Sequence, residues 1–294
     1  MATSGSTDFE PDVAEYVEEA VERCGLEVRT GYDLKTARRS INLMLADWAN
    51  RGLNQWTIEE TSISLATDVG NYPGGTLTIT VGASGSFSVA ETITGGTSGA
   101  TASITSKPSG TSFAITLPSG TFTNGETLTG GTSGAATTLS SAVDLTNVQA
   151  TIDILSAVVT RDGTDFQITR ISRGDYLAIP NKTQSSRPSQ FFLDRQITPE
   201  LKLWPVSDSS SDIVKFDRLV RMDDADGYTD TMEVPFRFYP CLTAGLAYYL
   251  AMKRNPAMIQ ILKTIYEEEM QRAIEEDRDR ASSFISPTFD YHRV

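Results

Sequence analysis

The sequence predicts an α+β protein: a helical-bundle core with a small antiparallel sheet, plus an inserted all-β module that is sandwich-like and duplicated. Helical periodicity at both ends of the 294-residue chain, period-two alternation between them and a central Gly-, Ser- and Thr-rich duplication predict this class. The two copies, 87–106 and 122–141, begin 35 residues apart and share a Gly-Gly-Thr-Ser-Gly-Ala run. A repeat between segments of different composition is typical of a module inserted into a host domain.

Two amphipathic helices are predicted at the start of the chain. We expect Pro11 at the first position of a helix over 12–24 that ends at Gly25, with apolar residues on one face and glutamates on the other. A second helix is expected from Asp33, as N-cap, to Arg51. Because a short turn joins them, the pattern predicts an antiparallel helical hairpin.

The middle of the chain is expected to be β structure. A strand is predicted over 56–65, followed by a cluster of turn-forming residues at 71–75. The module that follows should contain two similar sets of three strands, forming a small sandwich or stacked hairpins. It has low charge, with four charged residues that sum to −2: Glu91, Lys107, Glu126 and Asp144.

The second half of the chain is expected to return to the core. Short strands between 152 and 220 predict an antiparallel sheet packed on the helices. The segment 241–253 is apolar all round, which predicts a central buried helix, and a final helix should run from 257 to about 283. The predicted domains are 1–73 and 148–285 for the two parts of the core, 74–147 for the module and 286–294 for an extended tail.

Composition and charge narrow the classes of function. A net charge of −13 argues against a nucleic-acid reader, which needs a basic face. The single histidine, His292, is third from the end, so we expect neither a histidine metal site nor a Ser-His-Asp triad. Cys24 and Cys241 are expected to be buried and reduced, with a disulfide as the less favoured alternative. The expectation is a protein with no catalytic, metal or cofactor-binding residues.

Two acidic loops, 208–212 and 223–227, could in principle hold Ca²⁺. The second loop resembles the start of an EF-hand loop but lacks the expected bidentate Glu, because position 234 is Val. Solvated loops are therefore the favoured interpretation of both. No apolar run reaches the roughly 18 residues of a membrane span, and the N-terminus lacks the basic and apolar regions of a secretory signal, so no membrane anchor is expected.

Several segments outside the module resemble a known family. The segment 31–53, GYDLKTARRSINLMLADWANRGL, is similar to the helical hairpin of head-to-tail adaptor proteins of short-tailed bacteriophages, of the P22 tail-accessory-factor and T7 tail-tube-adaptor type. Further similar segments are 169–182, 187–191, 194–195, 203–205 and 234–235. The resemblance covers about 10–73 and 148–285, and the duplicated module after Pro73 departs from it.

The resemblance implies a structural virion protein that is not an enzyme and needs no cofactor. It implies a ring, usually dodecameric, that is assembled in the host cytoplasm and docks under the portal. The ring extends the DNA channel, through which DNA passes without specific binding, and carries a tail nozzle or tail fibres. It also implies that the aromatic tail contacts the portal, through these candidates: Phe284, Ile285, Phe289, Tyr291, His292 and Arg293.

A second class of function stays open from the sequence. The β module could recognise glycans or a host surface while a helical stalk carries it. That class would need exposed, paired aromatic side chains on the module, whereas Phe87, Phe113 and Phe122 alternate like core residues.

Overall fold

The computed structural model of the protein describes residue 6 and residues 9–27, 31–51, 55–141 and 143–277. Residue contacts divide the chain into two compact units, one of Met1–Trp56 with Met222–Val294 and the other of Thr57–Arg221. The long helices belong to the first unit and the strands to the second, which is the segregated arrangement of the α+β class. This division differs from the predicted boundaries at 73/74 and 147/148, because the strands on either side of the module pack with one another.

The first unit is built around one central helix. The helices of the described residues, in chain order, are α1 (Val13–Arg23), α2 (Gly31–Arg51), α3 (Thr146–Gln149), α4 (Arg173–Ala178), α5 (Tyr239–Arg254) and α6 (Ile259–Glu276). α5 packs against α1, α2 and α6, and the four helices share one hydrophobic cluster. The prediction that α5 is central and buried is confirmed, since nearly all of its apolar residues from Cys241 to Ala251 are buried.

The start of α1 differs from the prediction. The Asp12 side chain accepts a hydrogen bond from the Glu15 backbone N–H at 2.8 Å, and the Glu15 carboxylate accepts one from the Asp12 N–H at 3.2 Å. This reciprocal capping box makes Asp12 the N-cap, so Pro11 lies before the helix and not at its first position. Gly25 follows the helix with φ 67°, a left-handed conformation that suits glycine, as predicted.

α2 also begins earlier than expected. It starts at Gly31, so Asp33 lies in its first turn and is not the N-cap. The Asp33 carboxylate forms an ion pair with Arg254 at the end of α5. The acidic side chain therefore joins two helices and does not cap one.

Three helices approach one another closely at Gly245 of α5. A Cβ atom added there would meet the Met44 sulfur of α2 and, at 2.8 Å, the Tyr266 ring of α6. Trp48 Nε1 donates a hydrogen bond to Tyr266 Oη at 2.9 Å nearby. Glycine is needed at this position because three helices meet where a side chain would stand.

The second unit contains the strands. In chain order they are β1 (Ile58–Ser64), β2 (Asn71–Pro73), β3 (Thr78–Thr80), β4 (Thr92–Gly95), β5 (Thr101–Ser109), β6 (Ser112–Ile115), β7 (Thr127–Gly130), β8 (Ala136–Thr138), β9 (Thr151–Arg161), β10 (Thr164–Gln167), β11 (Thr169–Arg170), β12 (Gln190–Asp194), β13 (Glu200–Trp204) and β14 (Ile213–Val220). They form sheets in the orders β1-β14-β9-β10, β11-β12-β13-β2 and β3-β6-β5-β4-β7-β8.

The first two sheets correct the expectation of one antiparallel sheet packed on the helices. Each has four strands, and β11 pairs parallel with β12. Their buried side chains, among them Ile63, Tyr72, Val159, Phe191 and Phe216, form one cluster of their own. The alternating apolar residues of these strands therefore pack against apolar residues of other strands.

The third sheet is the module, and it closes on itself. Its first and last strands also meet, because the Gly82 N–H donates to the Thr138 carbonyl at 3.0 Å and the Ser140 N–H to the Thr80 carbonyl at 2.8 Å. One six-stranded barrel, which we call the barrel, thus stands where a sandwich or stacked hairpins were expected. Closure removes the free strand edges that favour aggregation.

The duplication gives the barrel an internal two-fold relation. β4 and β7 pair antiparallel with Thr94 opposite Thr129, which are equivalent positions of the two copies. On either side, Ile93 faces Gly130 and Gly95 faces Leu128. Ile93 is equivalent to Leu128 and Gly95 to Gly130, so exchanging the two copies converts one pair into the other. The two copies are therefore related by a pseudo-two-fold axis that passes between Thr94 and Thr129.

The same axis exchanges two buried carboxylates. Glu126 of the second copy accepts hydrogen bonds from the backbone N–H groups of Thr97 (3.0 Å) and Ser98 (2.9 Å) in the Gly-Gly-Thr-Ser-Gly turn of the first copy. Glu91 of the first copy accepts the equivalent bonds from Thr132 (3.3 Å) and Ser133 (3.0 Å) in the turn of the second. We call each carboxylate with the turn that it binds a clasp.

The barrel is joined to the flanking strands at a buried arginine. Arg218 of β14 is 1% exposed and donates to the Asn147 carbonyl at 2.8 Å and to Thr151 Oγ1 at 2.9 Å. Its other terminal nitrogen pairs with Glu59 of β1 at 2.7 Å. A Cβ on Gly75 would lie 2.5 Å from this guanidinium, so the two connections to the barrel are fixed at one point.

Candidate interaction surfaces

The predicted portal-contacting residues lie outside the described part of the chain. The last described residue, Asp277, follows the end of α6. The structure therefore gives no position for the predicted tail, 286–294, or for these candidates: Phe284, Ile285, Phe289, Tyr291, His292 and Arg293. Their role stays a prediction from the resemblance.

The acidic loop 208–212 is held by an arginine. Asp212 is fully buried, and both its carboxylate oxygens accept hydrogen bonds from the Arg161 guanidinium, at 2.7 and 2.6 Å. Burial raises the pKa of Asp212. The hydrogen bonds from Arg161 and Ser207, together with the nearby arginine charges, lower it by more than burial raises it, so the pKa lies below its usual value. The interpretation of this loop as solvated is therefore wrong for Asp212, whose charge is buried and neutralised by Arg161, while Asp208 is exposed.

The loop 223–227 is attached to α2. The Arg38 guanidinium donates to the Asp226 carbonyl, and Asn42 both donates to the Ala225 carbonyl at 3.4 Å and accepts from its N–H at 2.9 Å. Across the described residues, no group of three or more His, Cys, Asp or Glu side chains is placed to hold a metal ion. The interpretation of this loop as a surface segment agrees with these bonds.

The cysteines are free and buried, as predicted. Cys24 Sγ donates to the Ala247 carbonyl at 3.1 Å, and burial raises the pKa of both thiols, that of Cys241 to about 12. Thiols with raised pKa values are poor nucleophiles. Both cysteines are packing residues of the helical unit.

A groove along α1 and the start of α5 forms an open cavity on the helical unit. It has a volume of about 480 Å³. We call it the acidic groove. Its lining is aromatic and acidic: Phe9, Pro11, Glu15, Tyr16, Glu18, Glu19, Glu22, Arg23, Tyr239, Pro240 and Thr243.

The aromatic side of the acidic groove holds an unpaired hydroxyl. Tyr16 packs edge to face on Tyr239 with 5.9 Å between ring centroids, and Phe9 packs on the same ring at 6.4 Å. Tyr16 is 3% exposed, and among the described residues its hydroxyl has no hydrogen-bond partner. Burial, with Tyr239 and Glu15, raises the pKa of Tyr16, so the phenol stays neutral. A buried hydroxyl without a partner is unusual in a folded protein.

The acidic side of the groove comes from α1. Glu15 is used by the capping box and Glu19 pairs with Arg23 at 2.8 Å. Glu18 and Glu22 lie one turn apart and are exposed, with no ion pair to another described residue. Two carboxylates therefore remain free to bind a cation beside the aromatic rings.

A second surface feature is cationic. Lys35 and Arg39 lie one turn apart on α2, both exposed, and Leu43 continues the same face with 57% exposure. Lys253 of α5 lies beside them, donating to Ser40 Oγ at 2.6 Å and to the Thr36 carbonyl at 3.2 Å. Partial burial, and then the charges of Arg39 and Arg254, lower the pKa of Lys253. We call Lys35, Arg39, Leu43 and Lys253 the basic patch.

Several large apolar side chains of the helical unit are also exposed. Ile261 and Ile265 lie one turn apart on α6, at 55% and 39% exposure. Phe9 and Phe236, at 75% and 79%, are the most exposed aromatic side chains of the described residues. Exposed aliphatic and aromatic side chains are what protein interfaces use.

The barrel presents a different surface. Phe87, Phe113 and Phe122 are all buried inside it, at 3%, 0% and 3% exposure, as their alternation predicts. They are its only aromatic residues, so no aromatic side chain of the barrel faces outward. Thr94 and Thr129 on the outer face are exposed. The outer side chains of the barrel are mostly short and polar, and few of them are charged.

Sequence reasoning did not find the acidic groove or the basic patch. The glutamates of α1 and the cations of α2 were each assigned to an ordinary solvated helix face. Phe9 and Tyr16 are more than 220 residues from Tyr239 in the chain, so no local pattern could indicate their contact. The only local signal was the pair Glu18 and Glu22, one helical turn apart on the helix that also carries Tyr16.

No protein-family model and no curated protein sequence matches this chain. No helix among the described residues combines the length and the apolar composition that crossing a membrane requires.

Proposed function

We propose that this chain is a structural virion protein, a subunit of the head-to-tail adaptor ring of a short-tailed bacteriophage. In this proposal the ring docks under the portal, extends the DNA channel and attaches a nozzle or fibres. The helical unit, a bundle of α1, α2, α5 and α6, is the ring-forming core, and the duplicated barrel is a module inserted into the host domain. The resemblance over 10–73 and 148–285 supplies the identity of the assembly.

The apolar surface of the helical unit is the observation that supports assembly most. Ile261 and Ile265 form a stripe on α6, Leu43 is exposed on α2, and Phe236 precedes α5 with most of its ring in solvent. A chain of net charge −13 gains solubility from its charge, so exposed aliphatic and aromatic side chains are better explained by contact with other subunits. Identical subunits that meet through different faces close into a ring.

A role by contact also suits the polar side chains. The buried carboxylates of the described residues are all committed to other groups. Glu91 and Glu126 belong to the clasps, and the remaining four form ion pairs with arginines: Asp33, Asp194, Asp212 and Asp277. General acid–base catalysis needs two carboxylates that converge in a cleft with divergent pKa values. The arrangement of the described carboxylates supports the proposal of a protein that is not an enzyme.

The alternative, a glycan- or host-binding module on a helical stalk, has less support. Sugar rings are commonly bound on exposed aromatic faces, whereas the three phenylalanines of the barrel are buried. In the adaptor proposal the barrel instead presents a polar surface for a neighbouring tail component.

The proposal is tested by mixing the purified chain with the portal protein of the same phage. Negative-stain microscopy should show rings on the portal, usually of twelve subunits, and mass measurement should give the same copy number. Deleting 286–294 should weaken portal binding while leaving the helix content unchanged. A chain that stays monomeric with and without the portal at high concentration contradicts the proposal, and a glycan array tests the alternative on the same sample.

The inserted status of the barrel has its own test. The Thr151 hydroxyl donates to the Gly74 carbonyl at 2.8 Å, so the chain enters and leaves the barrel at adjacent points. Replacing 75–147 by a short glycine linker should therefore leave the flanking strands folded. Circular dichroism and thermal denaturation of the shortened chain check this, and loss of cooperative unfolding would show that the barrel is part of the core.

A further inference from the structure

The acidic groove has the chemistry of a cation site. Two free carboxylates, Glu18 and Glu22, stand beside the rings of Phe9 and Tyr239, and the Tyr16 hydroxyl has no partner among the described residues. Ammonium and guanidinium groups bind on aromatic faces and to carboxylates, and a neutral phenol oxygen can accept from either. A lysine or arginine side chain from another molecule suits the exposed carboxylates and the aromatic rings, and the buried Tyr16 hydroxyl adds an unpaired acceptor next to them.

The basic patch has the opposite charge and would be stabilised by a nearby carboxylate. Lys35 and Arg39 are like charges at (i, i+4) spacing, which destabilises a helix by tenths of a kcal/mol. Lys253 adds a third cation that is in contact with α2 through Thr36 and Ser40 and has no carboxylate partner among the described residues. In a chain of net charge −13, these three neighbouring cations form a locally positive surface, and none of them has an ion pair to another described residue.

We propose that the acidic groove of one copy of this chain receives the basic patch of a second copy. The inference rests on the proposed function, since it names the contact by which the subunits of the ring meet. Two copies of an acidic chain repel each other on average, so association requires a local contact between opposite charges. The groove and the patch supply that contact, and Leu43 adds an apolar side chain that suits the aromatic wall.

The positions of the two surfaces make the contact head to tail. The groove is lined by the first residues of α5, Tyr239 and Pro240, and the patch includes Lys253 near its end. At 1.5 Å per residue they lie about 21 Å apart along the axis of one helix. When the groove of one copy binds the patch of the next and not the reverse, the contact is heterologous and builds a ring if the rotation between copies closes, whereas two copies that make both contacts at once would form a two-fold dimer. The first arrangement is the one proposed, and a mass of two copies would contradict it.

A charge-exchange experiment tests the pairing in the full-length chain. One variant carries Glu18→Lys and Glu22→Lys, and the other carries Lys35→Glu and Arg39→Glu. All four side chains are exposed, so both variants should fold as the original chain does. Each variant alone has two surfaces of like charge, and its self-association constant should fall more than about tenfold.

An equal mixture of the two variants should associate again. The untouched patch of the first variant meets the untouched groove of the second, and the two reversed surfaces also have opposite charges. Analytical ultracentrifugation with isotopically labelled partners measures whether the recovered assembly alternates the two variants. Raising NaCl from 50 to 500 mM should weaken both the original and the mixed assembly, because salt screens exposed charges.

The control variant carries Glu60→Lys and Asp223→Lys, which change the net charge as much as the groove variant does. Both residues are exposed and outside the groove, so self-association should equal that of the original chain. Variants that associate like the original, or a mixture that does not recover, overturn the pairing while the ring proposal stands. Failure of the original chain to associate, alone or on the portal, counts against the proposed function itself.

Discussion

Replacing Glu126 with Gln is expected to open the barrel at one clasp. The carboxylate accepts hydrogen bonds from three backbone N–H groups, those of Thr97, Ser98 and Thr123, and from the Ser98 hydroxyl. Gln keeps one oxygen but presents an NH₂ group where Glu126 Oε2 had accepted the two turn N–H groups. Hydrogen bonds to a charged acceptor contribute about 1.5–3 kcal/mol each. Because Thr97 and Ser98 are exposed and their N–H groups can bind water instead, we expect a loss of about 2–4 kcal/mol for the two bonds together.

The barrel contains no tryptophan, so the assay should follow its backbone directly. Hydrogen exchange with mass spectrometry measures the opening of peptides from 88–139, and about 3 kcal/mol corresponds to exchange that is roughly a hundredfold faster. Glu91→Gln is the matched variant, because the pseudo-two-fold axis gives it equivalent partners. Glu60→Gln, at an exposed position of β1, is the control that should leave exchange unchanged.

The same variants predict a dependence on pH. Burial raises the pKa of each clasp carboxylate, but the hydrogen bonds from the turns lower it further, so the net pKa of both Glu91 and Glu126 lies below the ordinary value of 4.5. Their contribution to stability is therefore present above about pH 4.5 and is lost as pH falls through the folded pKa. The double variant Glu91→Gln with Glu126→Gln should not lose stability as the pH falls through this range, because it has neither carboxylate to protonate. Unchanged exchange in Glu126→Gln, or a large effect for only one of the two glutamates, would refute the clasp.

Three further predictions concern packing. Gly130→Ala should destabilise the barrel by about 2 kcal/mol in the same exchange assay, because its Cβ would lie 2.5 Å from the Glu91 carboxylate. The control is Gly85→Ala, whose Cβ would meet nothing within 4 Å and which should leave exchange unchanged. Gly245→Ala should cost the helical unit about 2 kcal/mol in urea unfolding followed by circular dichroism, since the contact with Tyr266 outweighs the higher helix propensity of Ala; unchanged unfolding would show that the helices move apart freely. Arg218→Met should reduce the free energy of unfolding by about 2–3 kcal/mol and so lower the thermal midpoint. Lys215→Met removes only an exposed ion pair and should leave the midpoint unchanged; equal effects would contradict the role of Arg218 in fixing the connections to the barrel.

The sequence predicted the features that depend on local periodicity. Helical spacing located α1, α2, α5 and the start of α6 to within a few residues, because one apolar face is visible in any amphipathic helix; the predicted end of α6 near 283 lies outside the described residues. The burial of α5 followed from its lack of a polar face. Even the glycine that ends α1 could be predicted, since a left-handed conformation after a helix strongly favours Gly25.

The features that depend on pairing between distant segments were missed. Closure of the barrel requires β3 to meet β8, whose residues are more than 50 positions away, and alternation along a strand does not specify its neighbours. The two compact units could not be read from the sequence for the same reason, because the strands from 57 to 221 carry the same pattern whether they pack on helices or on each other. The misplaced helix start is different in kind: Pro11 and Asp12 are both good starting residues, and the side chain of Glu15 decided between them.

The duplication shows why a repeated motif need not be a ligand site. The residues that are identical in the two copies include Glu91 and Glu126, and the Gly-Gly-Thr-Ser-Gly turns, and these are the groups that contact each other across the pseudo-two-fold axis. A change to one copy alone would break a bond to the other, so the geometry requires the pair to stay matched. The glycines follow the same logic, because Gly95 and Gly130 each lie against the opposite carboxylate, where a Cβ would fall within 2.6 Å of an oxygen. The identity between the copies is therefore explained by the fold of the barrel, and the surfaces that face other molecules are better sought in the helical unit, where the two free glutamates and the unpaired cations lie.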